Sequence, residues 1–185
     1  KEFGVAKDAA ARLQARADAI PRRGQPVPDD PTGAVMGSDG LALSRRPVSR
    51  NEYARFASAT GRKGALCRER VSLLRVVDRR DWKSPGFDQG GSEPVVCVSM
   101  ADVEAYAQWY SQQAGHQYRL PSAAESRQTA AEISGRAVSL WLRDCGSNCT
   151  QRQALGSSWR SQESQRALGA ERGYDDVGFR LIRDL

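Results

Sequence analysis

Four cysteines, one histidine and the adjacent aspartates Asp175 and Asp176 are the side chains of this sequence best suited to chemistry. Cysteines can act as nucleophiles, bind metal ions or form disulfides. Only three residues separate Cys145 from Cys149, whereas Cys67 and Cys97 lie far from any other cysteine. The even number favours two disulfides, with free thiols and a metal site as the alternatives. Disulfides would indicate an oxidising compartment such as the periplasm.

A disulfide between Cys145 and Cys149 fits their spacing, because a short turn can bring two residues within bonding distance. The remaining pair would then be Cys67 with Cys97. Zinc fits less well, since two cysteines with no histidine nearby and no second close pair make a poor zinc signature. We therefore expect two disulfides, no metal site and no cofactor.

The other polar residues do not form a recognisable catalytic pattern. His116, the only histidine, follows Gly115 in a predicted turn, where a surface position is the usual outcome. No G-x-S-x-G motif frames a serine nucleophile, although a Ser-His-Asp arrangement stays open. Asp175 and Asp176 precede an apolar segment, and we expect them to cap a loop and pair with an arginine rather than perform acid–base chemistry.

The net charge of +6 and the pI of about 9.5 could indicate a nucleic-acid partner. The arginines are scattered among acidic residues, however, and no nucleic-acid-binding motif is present. The positive charge is therefore interpreted as a solvated surface, and no nucleic-acid partner is expected. The sequence also contains no apolar run of transmembrane length.

The N-terminal residues differ in composition from the rest of the chain. Residues 1–20 are rich in good helix formers but have a thin apolar stripe, which indicates an exposed connector helix. Four prolines between Pro21 and Gly40 are typical of a linker. We expect a connector helix and proline-rich linker over residues 1–30 and one domain over 31–185. Because Lys1 is not methionine, we expect a piece of a longer protein, with any membrane anchor N-terminal to it.

The stretch 94–125 has the clearest secondary-structure pattern. Residues 94–98 form a short apolar run typical of a buried strand. Ser99 is suited to cap a helix, whose apolar stripe recurs at helical spacing up to residue 110. Gly115 is suited to end this helix, and Ser122 with Glu125 matches the capping box of another helix start.

Weaker patterns predict the remaining elements. We expect a strand over 41–43, a helix capped by Ser49 over 51–56, a strand over 138–142 and a closing strand over 177–182. Residues 65–80 are ambiguous, because arginines interrupt their apolar alternation. Residues 160–176 are polar, and we expect them to form an irregular, exposed recognition loop.

Five motifs resemble the sulfatase-modifying-factor domain, whose best-known members are the formylglycine-generating enzymes. Along the chain, the motifs follow one another in the family's order. Residues 94–125 are similar to the family's P-V-V-x-V-S-W start and its later R-L-P-T-E-A-E-W segment. Residues 47–56 are similar to E-V-T-N-A-x-Y-x-x-F, and residues 85–88 to the segment before the central strand. Residues 156–159 resemble G-G-S-W, and residues 177–181 resemble I-G-F-R-L. Together the motifs cover about residues 40–185.

The resemblance implies an α+β, modified C-type-lectin-like fold that is rich in loops and has little regular structure. In the formylglycine-generating members, two cysteines bind copper and activate oxygen. The matching positions hold Ser161 and Arg166, which are poor copper(I) ligands. The family's calcium loop corresponds to residues 136–141, where alanine and leucine replace oxygen-bearing side chains, so no calcium site is expected. The resemblance therefore implies a member that is not an enzyme.

The family also occurs outside the membrane on bacterial membrane-spanning Ser/Thr kinases. The resemblance favours the C-terminal sensor domain of such a kinase: a periplasmic domain that binds a small molecule, peptide or protein without catalysis. A lectin-like binding protein of the retroelement-diversified type is one alternative, although its typical asparagines are absent between Trp159 and Phe179. A formylglycine-generating-type oxidase with a displaced site is the other.

The candidate binding site lies on the loop-rich face, where lectin-like folds carry their sites. Its aromatic, arginine and carboxylate side chains suit a peptide, glycan or protein partner. As surface changes, Arg160→Ala, Glu163→Ala and Arg166→Ala are expected to alter stability by no more than about 0.5 kcal/mol. The candidate residues are Trp82, Phe87, Trp159, Arg160, Ser161, Glu163, Arg166, Tyr174 and Asp175.

Overall fold

A computed structural model describes residues 2–18, 21–68, 79–145 and 148–185. Most of the ambiguous stretch 65–80 lies outside these described residues. Within them the chain is a mixed α+β protein with few helices, short strands and long connecting loops. The predicted fold class is therefore confirmed.

Within the described residues, four helices and ten strands follow one another along the chain. The helices are α1 (Glu2–Asp18), α2 (Arg50–Thr60), α3 (Met100–Ala114) and α4 (Ala123–Ser126). The first five strands are β1 (Val35–Met36), β2 (Leu41–Leu43), β3 (Cys67–Arg68), β4 (Tyr118–Arg119) and β5 (Ser139–Cys145). The others are β6 (Gln151–Leu155), β7 (Gln165–Gly169), β8 (Gly173–Tyr174), β9 (Val177–Gly178) and β10 (Ile182–Asp184).

The predicted starts of α2, α3 and α4 are confirmed. Ser49, Ser99 and Ser122 each accept a hydrogen bond from the backbone N–H three residues later. The acidic side chain at that later position accepts one from the serine's own N–H, which completes a capping box. Helix α3 ends at Gly115, whose φ of 71° lies in the left-handed region that favours glycine.

The strands of the described residues form two four-stranded sheets and one two-stranded sheet. The first sheet has the order β1-β2-β10-β4, and all of its pairs are antiparallel. The second has the order β7-β6-β5-β9, with a parallel pair between β5 and β9. The small sheet pairs β3 with β8 in parallel. Segments distant in sequence therefore meet throughout the domain.

Residues 94–98 do not form the predicted strand, although Val95 to Val98 are fully buried. The Val95 N–H donates to the Val48 carbonyl over 2.9 Å, whereas the Cys97 N–H donates to the Tyr174 carbonyl over 2.9 Å. The segment thus forms backbone hydrogen bonds to two different parts of the chain instead of pairing with one neighbouring strand. Cys97 also has a φ of 60°, which interrupts an extended conformation.

The predicted closing strand over 177–182 is divided between the two large sheets. Strand β9 pairs in parallel with β5, and β10 pairs antiparallel with β2 and β4. Phe179 to Leu181 lie between them and are almost completely buried. The apolar run was therefore correctly placed in the core, but one continuous strand was wrong because its two ends pair with different sheets.

Residues 160–176 are mostly irregular, as expected, but they also contain two short strands. Strand β7 pairs antiparallel with β6 over five residues, and β8 pairs with β3. Most positions of β6 and β7 are half-buried or exposed. The strands therefore lack the apolar alternation by which a sequence predicts a half-buried strand.

The core is centred on aromatic side chains from α2, α3 and the chain between β9 and β10. Tyr106 and Phe179 meet edge to face with ring centroids 5.3 Å apart, and Tyr53 meets Phe56 at the same distance. Trp82 packs on Tyr53 at 5.2 Å and is 5% exposed. Such pairs add directional stabilisation to the burial of large apolar surfaces.

Two disulfides are present, Cys67–Cys97 and Cys145–Cys149, and they include every cysteine of the sequence. The first joins β3 to the buried segment 94–98. The second joins the end of β5 to the chain that leads into β6. The expected pairing is therefore confirmed, and it leaves no free thiol in the chain.

The predicted N-terminal helix is present as α1, and the side chains of residues 5–15 are exposed. Val5 and Leu13 are 72% and 67% exposed, as a thin apolar stripe predicts. In the described part of the chain, no helix is both long and apolar enough to span a membrane.

Candidate functional site

The segment 156–164, which connects β6 to β7, and Arg166 at the start of β7 fold against Asp175 and Asp176. Gly156 has a φ of 93°, a conformation that side-chain-bearing residues rarely adopt, and its carbonyl accepts a hydrogen bond from the Ser139 hydroxyl over 2.6 Å. The Ser158 N–H donates to the Ser161 carbonyl over 2.7 Å, which closes a tight turn. This turn places the G-S-S-W motif next to the two carboxylates.

Asp176 is the centre of a buried polar network. The Ser158 hydroxyl donates to its carboxylate over 2.6 Å, and the Arg166 guanidinium forms an ion pair with the same oxygen. Arg166 also donates to the Ser139 hydroxyl over 3.2 Å. The side chains of Arg166 and Asp176 are only 10% and 3% exposed. Their charges therefore compensate each other away from water.

Asp175 forms the second ion pair of this region. Arg160 donates to its two oxygens over 2.7 and 2.6 Å, a bidentate arrangement that fixes the guanidinium plane. The hydrogen bond to Asp175 raises the pKa of Arg160. Asp175 is 2% exposed. Both aspartates therefore pair with arginines, as the sequence predicts.

A partly exposed cluster of rings and guanidinium groups lies beside these ion pairs. Phe87 and Trp159 meet edge to face, 5.8 Å between centroids. Arg136 lies 4.6 Å from the Phe87 centroid and 4.9 Å from that of Trp159. Arg160 lies 4.1 Å from the Trp159 centroid. These are cation–π distances. We call Phe87, Arg136, Trp159 and Arg160 the aromatic–arginine patch.

The predicted binding residues are not all on one surface. Trp82 and Tyr174 are buried, at 5% and 9% exposure, and Asp175 is buried beneath Arg160. Arg166 is also nearly buried, so the expectation of a freely exposed side chain was wrong. Burial of these residues follows from aromatic packing and ion pairing, which their polar sequence neighbours do not reveal. Those that remain half-buried or exposed are Phe87, Trp159, Arg160, Ser161 and Glu163.

The sequence matches the family model of the sulfatase-modifying factor enzyme 1-like domain over residues 23–168. The chain belongs to this family. No curated protein matches the sequence. The matched segment contains α2 to α4, β1 to β6 and most of β7. It therefore includes the turn at residues 156–161 and the whole aromatic–arginine patch.

Solved structures show the same fold for this sulfatase-modifying-factor domain. PvdO from Pseudomonas aeruginosa has a TM-score of 0.69 at 20% identity, and the match covers 90% of this chain and all of PvdO. CarF has a TM-score of 0.53 at 18% identity, covering 78% of this chain and 86% of CarF. Treponema denticola variable protein 1 also has a TM-score of 0.53, at 11% identity, covering 78% and 84%. At these identities the likeness shows the fold alone.

Metal-binding groups are scarce in the part of this sulfatase-modifying-factor domain that the structure describes. It contains no group of three or more His, Cys, Asp or Glu side chains that could hold a metal ion. The adjacent carboxylates of Asp175 and Asp176 are each engaged by an arginine. The negative charges of these two carboxylates are therefore compensated by arginines of the same region.

Arg136 is the member of the patch that the sequence analysis did not identify as a binding residue. It lies in a polar stretch before β5, and no local pattern distinguishes it from other surface arginines. Its proximity to Phe87, 49 positions earlier, depends on the tertiary fold. A sequence alone offers no signal for such a contact.

Proposed function

We propose that this sulfatase-modifying-factor domain is a non-catalytic binding domain. In this proposal it is the extracytoplasmic, periplasmic part of a bacterial signalling protein such as a membrane Ser/Thr kinase. Its partner is a small molecule, peptide or protein. The proposal requires no cofactor and no nucleic acid.

The observation that carries the proposal is the environment of Arg166. By resemblance, Ser161 and Arg166 occupy the positions of the two cysteines that bind copper in formylglycine-generating members. Arg166 is instead ion-paired with the buried Asp176 and bonded to Ser139. All four cysteines of the chain are in disulfides, so no thiolate remains to bind copper(I) there.

The disulfides, helix α1 and the family resemblance support the proposed cellular context. Two disulfides favour an oxidising compartment, which agrees with a periplasmic location. The exposed helix α1 agrees with a connector to another part of a longer protein. The kinase itself comes only from the family resemblance, in which such domains are appended to membrane kinases.

The aromatic–arginine patch is the surface that we propose for partner recognition. Trp and Arg are enriched among residues that dominate binding energy at interfaces. Both rings are half-buried, and Arg160 is held in place by Asp175. A preorganised patch loses little conformational entropy on binding. A peptide or glycan with an acidic group fits the Arg136 guanidinium best, because that of Arg160 is already paired with Asp175.

A direct activity assay tests the absence of oxidase chemistry. The protein is incubated with copper, oxygen and a cysteine-containing sulfatase-motif peptide, beside an active formylglycine-generating enzyme. Mass spectrometry then measures conversion of cysteine to formylglycine. We expect no conversion above the background without protein. Oxygen-dependent product formation in this sample would contradict the proposal, whatever the site responsible.

A binding comparison tests the recognition surface separately. Peptide and glycan arrays are probed with the parent protein, with Arg136→Gln and with Arg172→Gln. Arg172 is a matched control, since it is an exposed arginine whose ion pair with Glu171 is long, at 3.9 Å. We expect Arg136→Gln to weaken captured signals about 5-fold or more, as for an interface hot spot. Equal signals for the two variants would place recognition elsewhere.

A further inference from the structure

An open cavity of about 580 Å³ lies between the start of α2, the loop at residues 30–33 and α3. It shares no residue with the aromatic–arginine patch. Its volume is within the range of small-molecule sites. Its walls combine two tyrosines of α3 with serine side chains from the loops and Asn51 of α2. The cavity can therefore offer both apolar contact and hydrogen bonds to a compact ligand.

The apolar wall is formed by Tyr106 and Tyr110, whose rings are nearly parallel with centroids 5.9 Å apart. Burial raises the pKa of Tyr110 to about 12, with further contributions from Tyr118, Asp30 and Glu52, against an opposing effect of Arg55. Both hydroxyls therefore stay protonated at neutral pH. Neither hydroxyl has a hydrogen-bond partner among the residues that the structure describes, so both can donate to a ligand.

The charge of the cavity is set by two arginines, Arg46 and Arg55. Both are exposed, and within the described ranges neither forms an ion pair with a carboxylate. Arg55 lies close enough to the tyrosine pair for its positive charge to oppose the rise in the pKa of Tyr106 and Tyr110. Two guanidinium groups thus face a cavity whose hydroxyl groups also act as donors.

The two acids of the cavity wall are already engaged. Asp30, whose side chain is fully buried, pairs with Arg183 at 3.1 Å and accepts a hydrogen bond from Thr32 N–H over 2.9 Å. Glu52 accepts the Ser49 N–H over 2.7 Å as part of the α2 capping box. Within the described residues, neither acid forms an ion pair with Arg46 or Arg55, although Glu52 keeps its negative charge. Both acids nevertheless add negative potential, which disfavours a ligand with two negative charges.

From this arrangement we propose that the cavity binds a small organic molecule through one carboxylate group. Arg46 and Arg55 hold the carboxylate, Tyr110 and Tyr106 contact the body of the molecule, and the tyrosine hydroxyls donate to its polar atoms. A planar carboxylate matches the fork of donors on a guanidinium group. This site goes beyond the proposed binding patch and does not depend on it.

Binding of defined acids and their neutral counterparts tests this inference. The isotope-labelled protein is titrated to about 10 mM with D-glucuronate, benzoate and glutarate, and separately with D-glucose and benzyl alcohol, while NMR follows its amide signals. We expect at least one acid to shift signals around Tyr106 and Tyr110 more than any neutral compound does. The absence of such a shift with all three acids overturns the proposal.

Three variants locate the binding. Arg46→Gln and Arg55→Gln should each weaken binding of that acid about 10-fold or more, the loss expected for a charge-assisted hydrogen bond. Arg45→Gln is the matched control, because Arg45 is adjacent in sequence but pairs with Glu132 and does not line the cavity. The control should bind as the parent does. Equal affinity in all three variants would mean that the acid binds elsewhere.

A titration with inorganic phosphate tests whether the cavity prefers a carboxylate to other oxyanions. Inorganic phosphate is titrated under the same conditions. We expect weaker binding than for the best carboxylate, because Asp30 and Glu52 repel a second negative charge. Tighter phosphate binding that is lost in Arg55→Gln overturns the assignment to a carboxylate. All of these results are independent of the oxidase assay, so the two proposals can fail separately.

Discussion

The ion pair between Arg166 and Asp176 gives the sharpest test of how this domain is built. Replacing Arg166 by alanine removes the ion pair and the hydrogen bond to Ser139. Of the recorded partners of its carboxylate, Asp176, 3% exposed, would keep only the Ser158 hydroxyl. Breaking a buried pair by removing one partner costs about 3–5 kcal/mol.

We expect the destabilisation caused by Arg166→Ala to lie at the lower end of this range. The Nε atom of Arg166 is buried with no hydrogen-bond partner in the described part of the chain. Alanine removes this unfavourable group, and the Ser158 hydroxyl still stabilises the carboxylate. We therefore expect Arg166→Ala to lower the free energy of unfolding by about 3 kcal/mol, well above the 0.5 kcal/mol or so expected of a surface residue.

Urea unfolding, followed by tryptophan fluorescence and circular dichroism, measures this difference. Arg172→Ala provides the matched control, because Arg172 is 49% exposed and its ion-pair partner Glu171 is 76% exposed. Such a surface pair contributes at most about 1 kcal/mol. The double variant Arg166→Ala/Asp176→Ala removes both charges, so it should be less destabilised than the sum of the single variants.

The reasoning is refuted if Arg166→Ala unfolds within about 0.5 kcal/mol of the parent, as Arg172→Ala should. Additive effects of the two single variants would also refute it, since a buried pair must show coupling. In either case, the Arg166 guanidinium would be solvated in solution. This is the behaviour expected of the exposed recognition loop that the sequence predicts.

Three further predictions concern stability. Phe179→Ala should cost about 3–5 kcal/mol in urea unfolding, because the ring is fully buried between Tyr53 and Tyr106, whereas Phe179→Leu should cost much less. Burial raises the pKa of Glu125, but its hydrogen bonds to Arg119 and the backbone prevail and lower that pKa to about 2. Its contribution to the free energy of unfolding is therefore present above pH 4.5 and lost as the pH falls towards 2. Glu125→Gln should lose about 1–2 kcal/mol less stability than the parent over this pH range, after solvent screening is taken into account. Removing the 67–97 disulfide should cost about 3.7 kcal/mol and the 145–149 disulfide about 2 kcal/mol, because the first closes the longer loop; equal losses would contradict this order.

Several local features were predictable because their causes are local. A serine followed three residues later by an acid forms a capping box from atoms within one turn of chain, and all three such starts occurred as predicted. Gly115 ended α3 because its backbone can adopt a left-handed conformation without steric cost. The family could likewise be recognised, since motifs in a fixed order are a property of the sequence.

The site was only partly predictable. Phe87, Trp159 and Arg160 were expected on a binding surface, and they do meet in the aromatic–arginine patch. Arg136 was missed, because nothing near it in sequence indicates that two rings lie beside it. Trp82 was included wrongly, because an aromatic residue in a polar loop can equally well pack on a distant core residue such as Tyr53.

The sequence by itself determined the helix starts, the family and the absence of cysteines at positions 161 and 166, and it favoured two disulfides without excluding free thiols. Each of these depends on residue types and on spacing along the chain. Only the tertiary structure decided that the apolar run 94–98 is not a strand, and that Arg166 is a buried partner of Asp176. The physical reason is that backbone ladders and buried charges require partners from distant segments, and folding, not spacing, brings those partners together.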